Sequence, residues 1–160
     1  MSVKTSANRF PIDALSIFRA AGLATVAVST GSTNAMTLDQ LSSYWSAGEN
    51  ASLLQFAIEC QVESIGQASG GPATATFSVQ IDTDSAFTSP VAITVETSKV
   101  MSAAGFTTLL VDREKINEAL TALSVTTGVP VYLQVYITIG GGATTPAVPW
   151  NAYASPLLGL

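Results

Sequence analysis

Two aspartates one residue apart, Asp82 and Asp84, are the pair in this chain whose type and spacing most directly suggest chemistry. They end an alternating apolar run and begin the stretch DTDSAFTSP. Paired carboxylates can bind a divalent cation, and they can exchange protons with a substrate. They can also accept hydrogen bonds from backbone N–H groups in the bend between two strands. Which of these roles applies decides whether the chain is expected to perform chemistry.

The templates for a metal site fail at this stretch. A calcium loop of the EF-hand type beginning at Asp82 would have Ala86 at its fifth position, with Phe87 where glycine is required. The same loop would have Ile93 where the bidentate acid belongs. A sugar-nucleotide D-x-D motif would need a parallel α/β setting, which the strand pattern does not provide. The stretch is therefore predicted to be a turn rather than a metal site.

The turn hypothesis gives each of these residues a local role. Asp82 ends one strand, and Asp84 and Ser85 are expected to bond nearby backbone N–H groups. Phe87 is expected to fold back as an apolar anchor beneath the loop. Pro90 is expected to begin the next strand, at a position that an edge strand permits.

Other catalytic and metal-binding arrangements are excluded by the residue inventory. The chain contains no histidine, which excludes Ser-His-Asp and Cys-His machinery, histidine-ligated zinc and general acid–base catalysis by histidine. Its single cysteine, Cys60, can form neither an internal disulfide nor a cysteine-rich metal site. The apolar strand position of Cys60 predicts a buried thiol. No P-loop motif occurs either.

A pair of acids on one predicted strand leaves a hydrolase as the weakest hypothesis. Glu59 and Glu63 share the polar phase of the strand, where a rise of roughly 3.3 Å per residue places their Cα atoms about 13 Å apart. Their carboxyl groups could approach the separation of an inverting glycosidase pair. Because no row of aromatic residues marks a sugar cleft, we favour a solvated or interfacial strand face. We therefore predict no enzyme activity, no cofactor and no metal.

The composition favours a protein whose surface is covered by other protein. Of the 160 residues, 48% are apolar and only 11% are charged, and no charged side chain occurs from residue 119 to 160. A soluble monomer normally keeps charge on its surface; the alternative is a β-protein kept in solution by its hydroxyl groups.

The net charge is −5 and the six cations form no basic stripe, so nucleic acid is not an expected partner. No apolar run reaches the roughly 18 residues of a membrane span, so a membrane is not expected either.

Period-two alternation of apolar and polar residues predicts a mostly β protein. Because each such strand buries one face, we expect an antiparallel β-sandwich with two sheets about 10 Å apart. One short helix is predicted at residues 113–123, capped by Asp112. The clear strands are residues 54–63, 77–82, 91–96, 106–111 and 131–139, and weaker signals lie at 24–28 and 36–38 and, for a helical turn, at 39–45.

The chain is predicted to be one domain with an extended arm at each end. Residues 1–22 form the N-terminal arm, residues 23–145 the sandwich, and residues 146–160, which are apolar but without strand or helix period, the C-terminal arm. Such a tail must lie along a surface, so we expect deletion of residues 146–160 to weaken assembly more than stability. The candidate interface residues belong to the two arms: Arg9, Phe10, Phe18, Arg19, Trp150, Tyr153, Leu157 and Leu158.

Two segments of the chain resemble a family of virion proteins. The stretch FSVQIDTDSAFTSPVAI, residues 77–93, is similar to the strand–turn–strand of small phage capsid cement (decoration) proteins of the Bbp-sixteen type. The stretch PVYLQVYITIGGG, residues 130–142, resembles a late strand of that family. The resemblance extends over roughly residues 54–160, while the N-terminal segment and residues 112–123 depart from the family pattern.

The resemblance implies a jelly-roll-like sandwich that forms homotrimers on the outer surface of an icosahedral capsid. The implied partner is the major capsid protein, whose neighbouring subunits the trimer would clamp at local threefold axes. The alternative is a carbohydrate- or receptor-binding β-sandwich of a phage tail or fibre, which should expose tryptophan or tyrosine platforms. The two tryptophans, Trp45 and Trp150, lie in poorly patterned segments.

Overall fold

A computed structural model gives the architecture of the chain. It describes residues 17–23, 29–38, 56–62, 73–95, 99–100, 104–111, 113–126, 128–141 and 148–156. None of the described helices is long and apolar enough to cross a membrane. In chain order the elements are β1 (Ile17–Arg19), β2 (Thr30–Gly31), β3 (Met36–Thr37), β4 (Phe56–Val62), β5 (Ala73–Asp82), β6 (Val91–Val95), β7 (Lys99–Val100), β8 (Gly105–Val111), α1 (Arg113–Ala122), β9 (Tyr132–Gly141) and β10 (Trp150–Pro156).

The strands form two antiparallel sheets. The four-stranded sheet has the order β1-β10-β4-β8. The six-stranded sheet has the main path β2-β9-β5-β6, with β3 also paired to β9 and β7 to β5. All of these pairings are antiparallel. The mostly β, two-sheet fold predicted from the alternating sequence pattern is confirmed.

The inward side chains of both sheets form one hydrophobic core. Phe56, Ile58 and Cys60 of β4 are buried in this core, as are Leu133 and Val135 of β9. Alternate residues of a strand point to opposite faces, so each apolar phase of the sequence pattern becomes the core side of its strand. The prediction of a buried thiol at Cys60 is confirmed.

The predicted helix is present as α1, which covers part of the core. Ile116 and Ala119 are buried, and Leu120 packs against the core from the same helix face. The helix ends where Ser124 takes a left-handed backbone conformation, φ 52°. The chain then turns back, and the amide of Val125 donates to the carbonyl of Leu120 at 3.0 Å.

The C-terminal segment differs from the predicted arm, because its described part is an inner strand of the four-stranded sheet. Strand β10 lies between β1 and β4, with Ala152 opposite Cys60 and Ala154 opposite Ile58. The inward positions of β10 include these two alanines, which have a low β-propensity. The sequence pattern of the strand is weak for that reason.

The N-terminal segment also contributes to the sheet where an arm was predicted. Residues 17–19 form β1, which pairs with β10 through a bulge. Strand β3 confirms the weak signal at residues 36–38. Residues 1–16, and the signals predicted at 24–28 and 39–45, lie outside the described residues.

Candidate functional site

The loop from Asp82 to Ser89 uses all four of its carboxylate oxygens within the loop. Asp82 Oδ1 accepts the amide of Asp84 at 3.2 Å, and Asp82 Oδ2 accepts the amide of Ser89 at 3.0 Å. Asp84 Oδ1 accepts the amide of Ala86 at 2.9 Å, and Asp84 Oδ2 accepts the hydroxyl of Thr88 at 2.9 Å. The backbone turn closes through a further bond from the amide of Phe87 to the carbonyl of Asp84, at 3.0 Å. The aspartates therefore fold the loop, as the turn hypothesis predicts.

The electrostatics of the loop agree with this structural role. The Ala86 amide and the Thr88 hydroxyl stabilise the charged carboxylate, so they lower the pKa of Asp84 below its usual value of 3.8. Among the described residues, no three histidine, cysteine, aspartate or glutamate side chains group together as metal ligands. The two carboxylates of the loop bind three backbone amides and one hydroxyl of the loop itself.

Phe87 differs from the expected anchor beneath the loop. Its side chain is only partly buried and does not belong to the core cluster. Its backbone adopts the left-handed conformation, φ 52°, which is uncommon for a bulky residue. The hydrogen bonds of the two aspartates hold the chain in this turn, and the phenyl ring contributes little to the core.

Three of the predicted interface residues lie inside the molecule. Phe18, Arg19 and Trp150 are each at most 5% exposed. The Arg19 guanidinium lies 5.0 Å from the Trp150 ring centroid, and Arg19 Nε donates to the Trp150 carbonyl at 3.0 Å. Trp150 also packs against Phe77 of the opposite sheet, with ring centroids 5.6 Å apart. These residues join β1, β10 and β5 and are not accessible to a partner in this fold.

The indole N–H of Trp150 adds one detail to this cluster. Its Nε1 is buried and has no hydrogen-bond acceptor in the described part of the chain. A buried donor without an acceptor reduces stability. Trp150 is retained there by packing and by its cation–π contact with Arg19.

Of the other predicted interface residues, Tyr153 lies on an outer surface. It is partly exposed on β10, opposite Glu59 on one side and Ile17 on the other. Arg9, Phe10, Leu157 and Leu158 lie outside the described residues, as does Glu63 of the acid pair. Of the four predicted interface residues that the structure describes, Tyr153 is therefore the one on an outer surface.

The outer surface of the four-stranded sheet, here called the four-strand face, is built from the outward residues of β10, β4 and β8. The register places Tyr153, Glu59 and Thr108 in one row across the three strands. The Thr108 hydroxyl donates to Glu59 Oε2 at 3.0 Å. In the next row, Asn151 Nδ2 donates to Gln61 Oε1 at 3.1 Å. The polar groups at the centre of the face are thus partly satisfied by each other.

Two large apolar side chains stand exposed at one side of the four-strand face. Phe106 is 56% exposed and Leu110 is 55% exposed, and Thr108 lies between them on β8. The alternating pattern predicts this strand but does not distinguish these two residues from its other members. The available signal was that apolar residues occur on both phases of β8, since Leu109 and Val111 already supply the core side. A strand with apolar residues on both faces is typical of one covered on both sides.

The outer surface of the six-stranded sheet, here called the six-strand face, has a different character. Its outward residues on β9 include Tyr132, Gln134 and Tyr136, and on β5 Ser78, Gln80 and Asp82. Gln134 pairs in register with Gln80, and its Nε2 donates to Gln80 Oε1 at 2.8 Å. The face is polar, and two tyrosines flank its central amide pair.

Comparison with known proteins adds no family assignment. No protein-family model matches the chain, and a search of curated proteins finds no significant match.

Proposed function

We propose that this protein is a structural virion protein, a capsid cement protein with a jelly-roll-like sandwich. It forms trimers on the outer capsid surface and binds the major capsid protein. The observation that carries the proposal is the four-strand face, where Phe106 and Leu110 of β8 are exposed on the same side of the sheet as Tyr153 of β10. The resemblance of residues 77–93 and 130–142 to phage cement proteins supports the same function.

The chemistry of the four-strand face suits a protein partner. Apolar and aromatic side chains dominate the centres of protein–protein interfaces, where charged residues are depleted. The carboxylate of this face, Glu59, already accepts the hydroxyl of Thr108. One oxygen of this carboxylate is therefore satisfied within the face, and the scarcity of charge in the whole chain agrees with a surface that another protein covers.

The energetic contribution of the two exposed side chains is large enough to measure. Full burial of a phenylalanine or leucine side chain contributes about 1.5–3 kcal/mol. Roughly half of each side chain is exposed, so covering both contributes on the order of 2 kcal/mol, which is about thirtyfold in affinity.

A double variant tests the proposal directly. We expect Phe106→Ser/Leu110→Ser to bind purified particles of the virus that encodes it about thirtyfold more weakly in cosedimentation. Its melting temperature should stay close to that of the wild type, because both side chains are exposed. Leu23→Ser/Val129→Ser is the matched control, since these side chains are 39% and 40% exposed and lie outside the four-strand face. The control should bind as the wild type does.

The same protein preparations test the trimer. Size-exclusion chromatography with light scattering is expected to give three times the 16.4 kDa chain mass in solution, or the same stoichiometry on the particle. A monomeric wild type that does not sediment with particles would contradict the proposal. If the Phe106→Ser/Leu110→Ser variant binds particles as well as the wild type does, the four-strand face is not the surface that contacts the capsid.

A further inference from the structure

We infer that the six-strand face binds a neutral oligosaccharide, held between Tyr132 and Tyr136 over the amide pair Gln134 and Gln80. The inference does not depend on the proposed function, because it uses the opposite sheet. The two tyrosines lie four residues apart on the same side of β9, and a rise of roughly 3.3 Å per residue separates their Cα atoms by about 13 Å.

Both tyrosines are partly exposed, while the residues between and beside them are buried. Leu133 and Val135 point into the core, so Tyr132 and Tyr136 point outward. An aromatic ring offers an apolar surface and, in tyrosine, a hydroxyl at its edge. A sugar ring presents the complementary combination, an apolar C–H face and a rim of hydroxyl groups. The separation of about 13 Å between the two Cα atoms accommodates an oligosaccharide rather than a single sugar.

The amide pair between the tyrosines supplies directed hydrogen bonding. Gln134 is only 8% exposed, and its Nε2 is committed to Gln80 Oε1. Gln134 Oε1 has no hydrogen-bond donor among the described residues. This oxygen is not fully buried. Gln80 Nε2 is likewise without an acceptor there. One acceptor and one donor are therefore fixed in place for a ligand hydroxyl, which is both donor and acceptor.

A glycine determines where the amide lies. Gly31 of β2 is adjacent to Tyr136 in the register, and a methyl group on Gly31 would overlap Gln134 Oε1. The missing side chain of Gly31 thus makes room for the Gln134 amide. Because only the end of a flexible side chain would have to move, Gly31→Ala should displace the amide without unfolding the sheet.

The charge of the face selects a neutral ligand. The described side chains of this face include one carboxylate, Asp82, and both of its oxygens already accept backbone amides. No lysine or arginine is among them. Among the described side chains of this face, an anionic polysaccharide would find no cation to pair with, and a cationic ligand would find a carboxylate that is already hydrogen-bonded. Neutral hydroxyl-rich chains match the face best.

The test is an array of neutral homo-oligosaccharides of glucose, galactose, mannose and N-acetylglucosamine up to six units, with heparin and polygalacturonate as charged comparators. The strongest neutral binder is then titrated by calorimetry. We expect the wild type to bind at least one neutral oligosaccharide, and Tyr132→Ser, Tyr136→Ser and Gly31→Ala each to bind about tenfold more weakly. Melting temperatures should remain close to that of the wild type.

Matched controls lie on the other sheet. Tyr153→Ser removes a partly exposed tyrosine from the four-strand face, and Gly105→Ala adds a methyl group where nothing lies within 4 Å. Both should bind the sugar as the wild type does. The inference is overturned if no neutral oligosaccharide binds, if only the charged comparators bind, or if the tyrosine and glycine variants on the six-strand face bind normally.

Discussion

Asp84 illustrates at the residue scale how two carboxylates can look catalytic in sequence and be structural in the fold. Its oxygens hold the Ala86 amide and the Thr88 hydroxyl, which is the arrangement that turns require of aspartate. The sequence was sufficient to predict this outcome, because the residues following Asp82 fail the calcium template. It was not sufficient for Phe87, whose positive φ depends on the hydrogen bonds around it.

The depressed pKa of Asp84 makes the stability of the loop dependent on pH. Because the pKa in the folded state lies below the usual 3.8, the charged carboxylate stabilises the fold at pH values above 3.8. This stabilisation is lost as the pH falls through the lower, folded-state pKa. We expect the difference in melting temperature between the wild type and Asp84→Asn to be present at pH 6 and to shrink as the pH is lowered.

An NMR titration of the Asp84 carboxyl carbon measures the same quantity directly. Its midpoint should fall below 3.8. Glu118→Gln, which alters an exposed acid on α1, controls for the general effect of removing one negative charge. A midpoint at or above 3.8 would mean that the hydrogen bonds to Ala86 and Thr88 do not favour the charged form.

At the scale of elements, the sequence predicted the strands with strong alternation and missed the short strands β1, β2 and β7 and the longer β10, which has small residues. The five clear strands and the helix appear as β4, β5, β6, β8, β9 and α1. Strand β10 was predicted to be an arm, because Ala152 and Ala154 give its inner side a weak apolar signal. Its place in the sheet comes from long-range pairing with β4, which no local pattern contains.

The residues of the candidate surfaces were less predictable from the sequence than the strands were. Tyr153, a predicted interface residue, lies on an outer surface, whereas Phe18, Arg19 and Trp150, which were predicted with it, form a buried cluster. Aromatic and cationic residues in unpatterned segments can serve either purpose, and only the fold decides between them. Phe106 and Leu110 can be recognised as exposed residues only when the core side of β8 is known.

The inner position of β10 changes the expected result of truncation. Deletion of residues 146–160 would remove the strand that separates β1 from β4, together with Trp150 of the core. Loss of a buried tryptophan alone typically costs 3–5 kcal/mol, a large part of the 5–15 kcal/mol of a typical domain. We therefore expect the truncated chain to lose cooperative thermal unfolding, measured by circular dichroism.

A shorter truncation is the matched control for this experiment. Deletion of residues 157–160 leaves all of β10 in place, since the strand ends at Pro156. This variant should unfold cooperatively at nearly the wild-type temperature. Cooperative unfolding of the chain that lacks residues 146–160 would show instead that this segment is dispensable for the sandwich, as the sequence alone suggested.

At the scale of the whole molecule, the sandwich presents two outer faces of different chemistry. The four-strand face carries exposed apolar side chains, whereas the six-strand face carries tyrosines and neutral amides. The faces point in opposite directions, because two packed sheets about 10 Å apart lie between them. A protein bound to a particle through one face would therefore leave the other accessible.

This geometry predicts that the two proposed binding activities are independent and can operate together. Substitutions more than about 7–10 Å apart without shared partners usually have additive effects. Phe106→Ser/Leu110→Ser should thus leave oligosaccharide affinity unchanged, and Tyr132→Ser/Tyr136→Ser should leave particle binding unchanged. Both pairs can be measured by calorimetry and cosedimentation on the same preparations.

The combined consequence is that decorated particles should be retained by a surface that carries the neutral oligosaccharide. Many copies on one particle act multivalently, so retention should be much stronger than binding of the free protein. Particles decorated with the Tyr132→Ser/Tyr136→Ser variant should pass through a column of immobilised oligosaccharide, while those with the wild-type protein stay bound. If soluble oligosaccharide instead releases the protein from the particle, the two ligands share one face, and the assignment of separate functions to the two sheets is wrong.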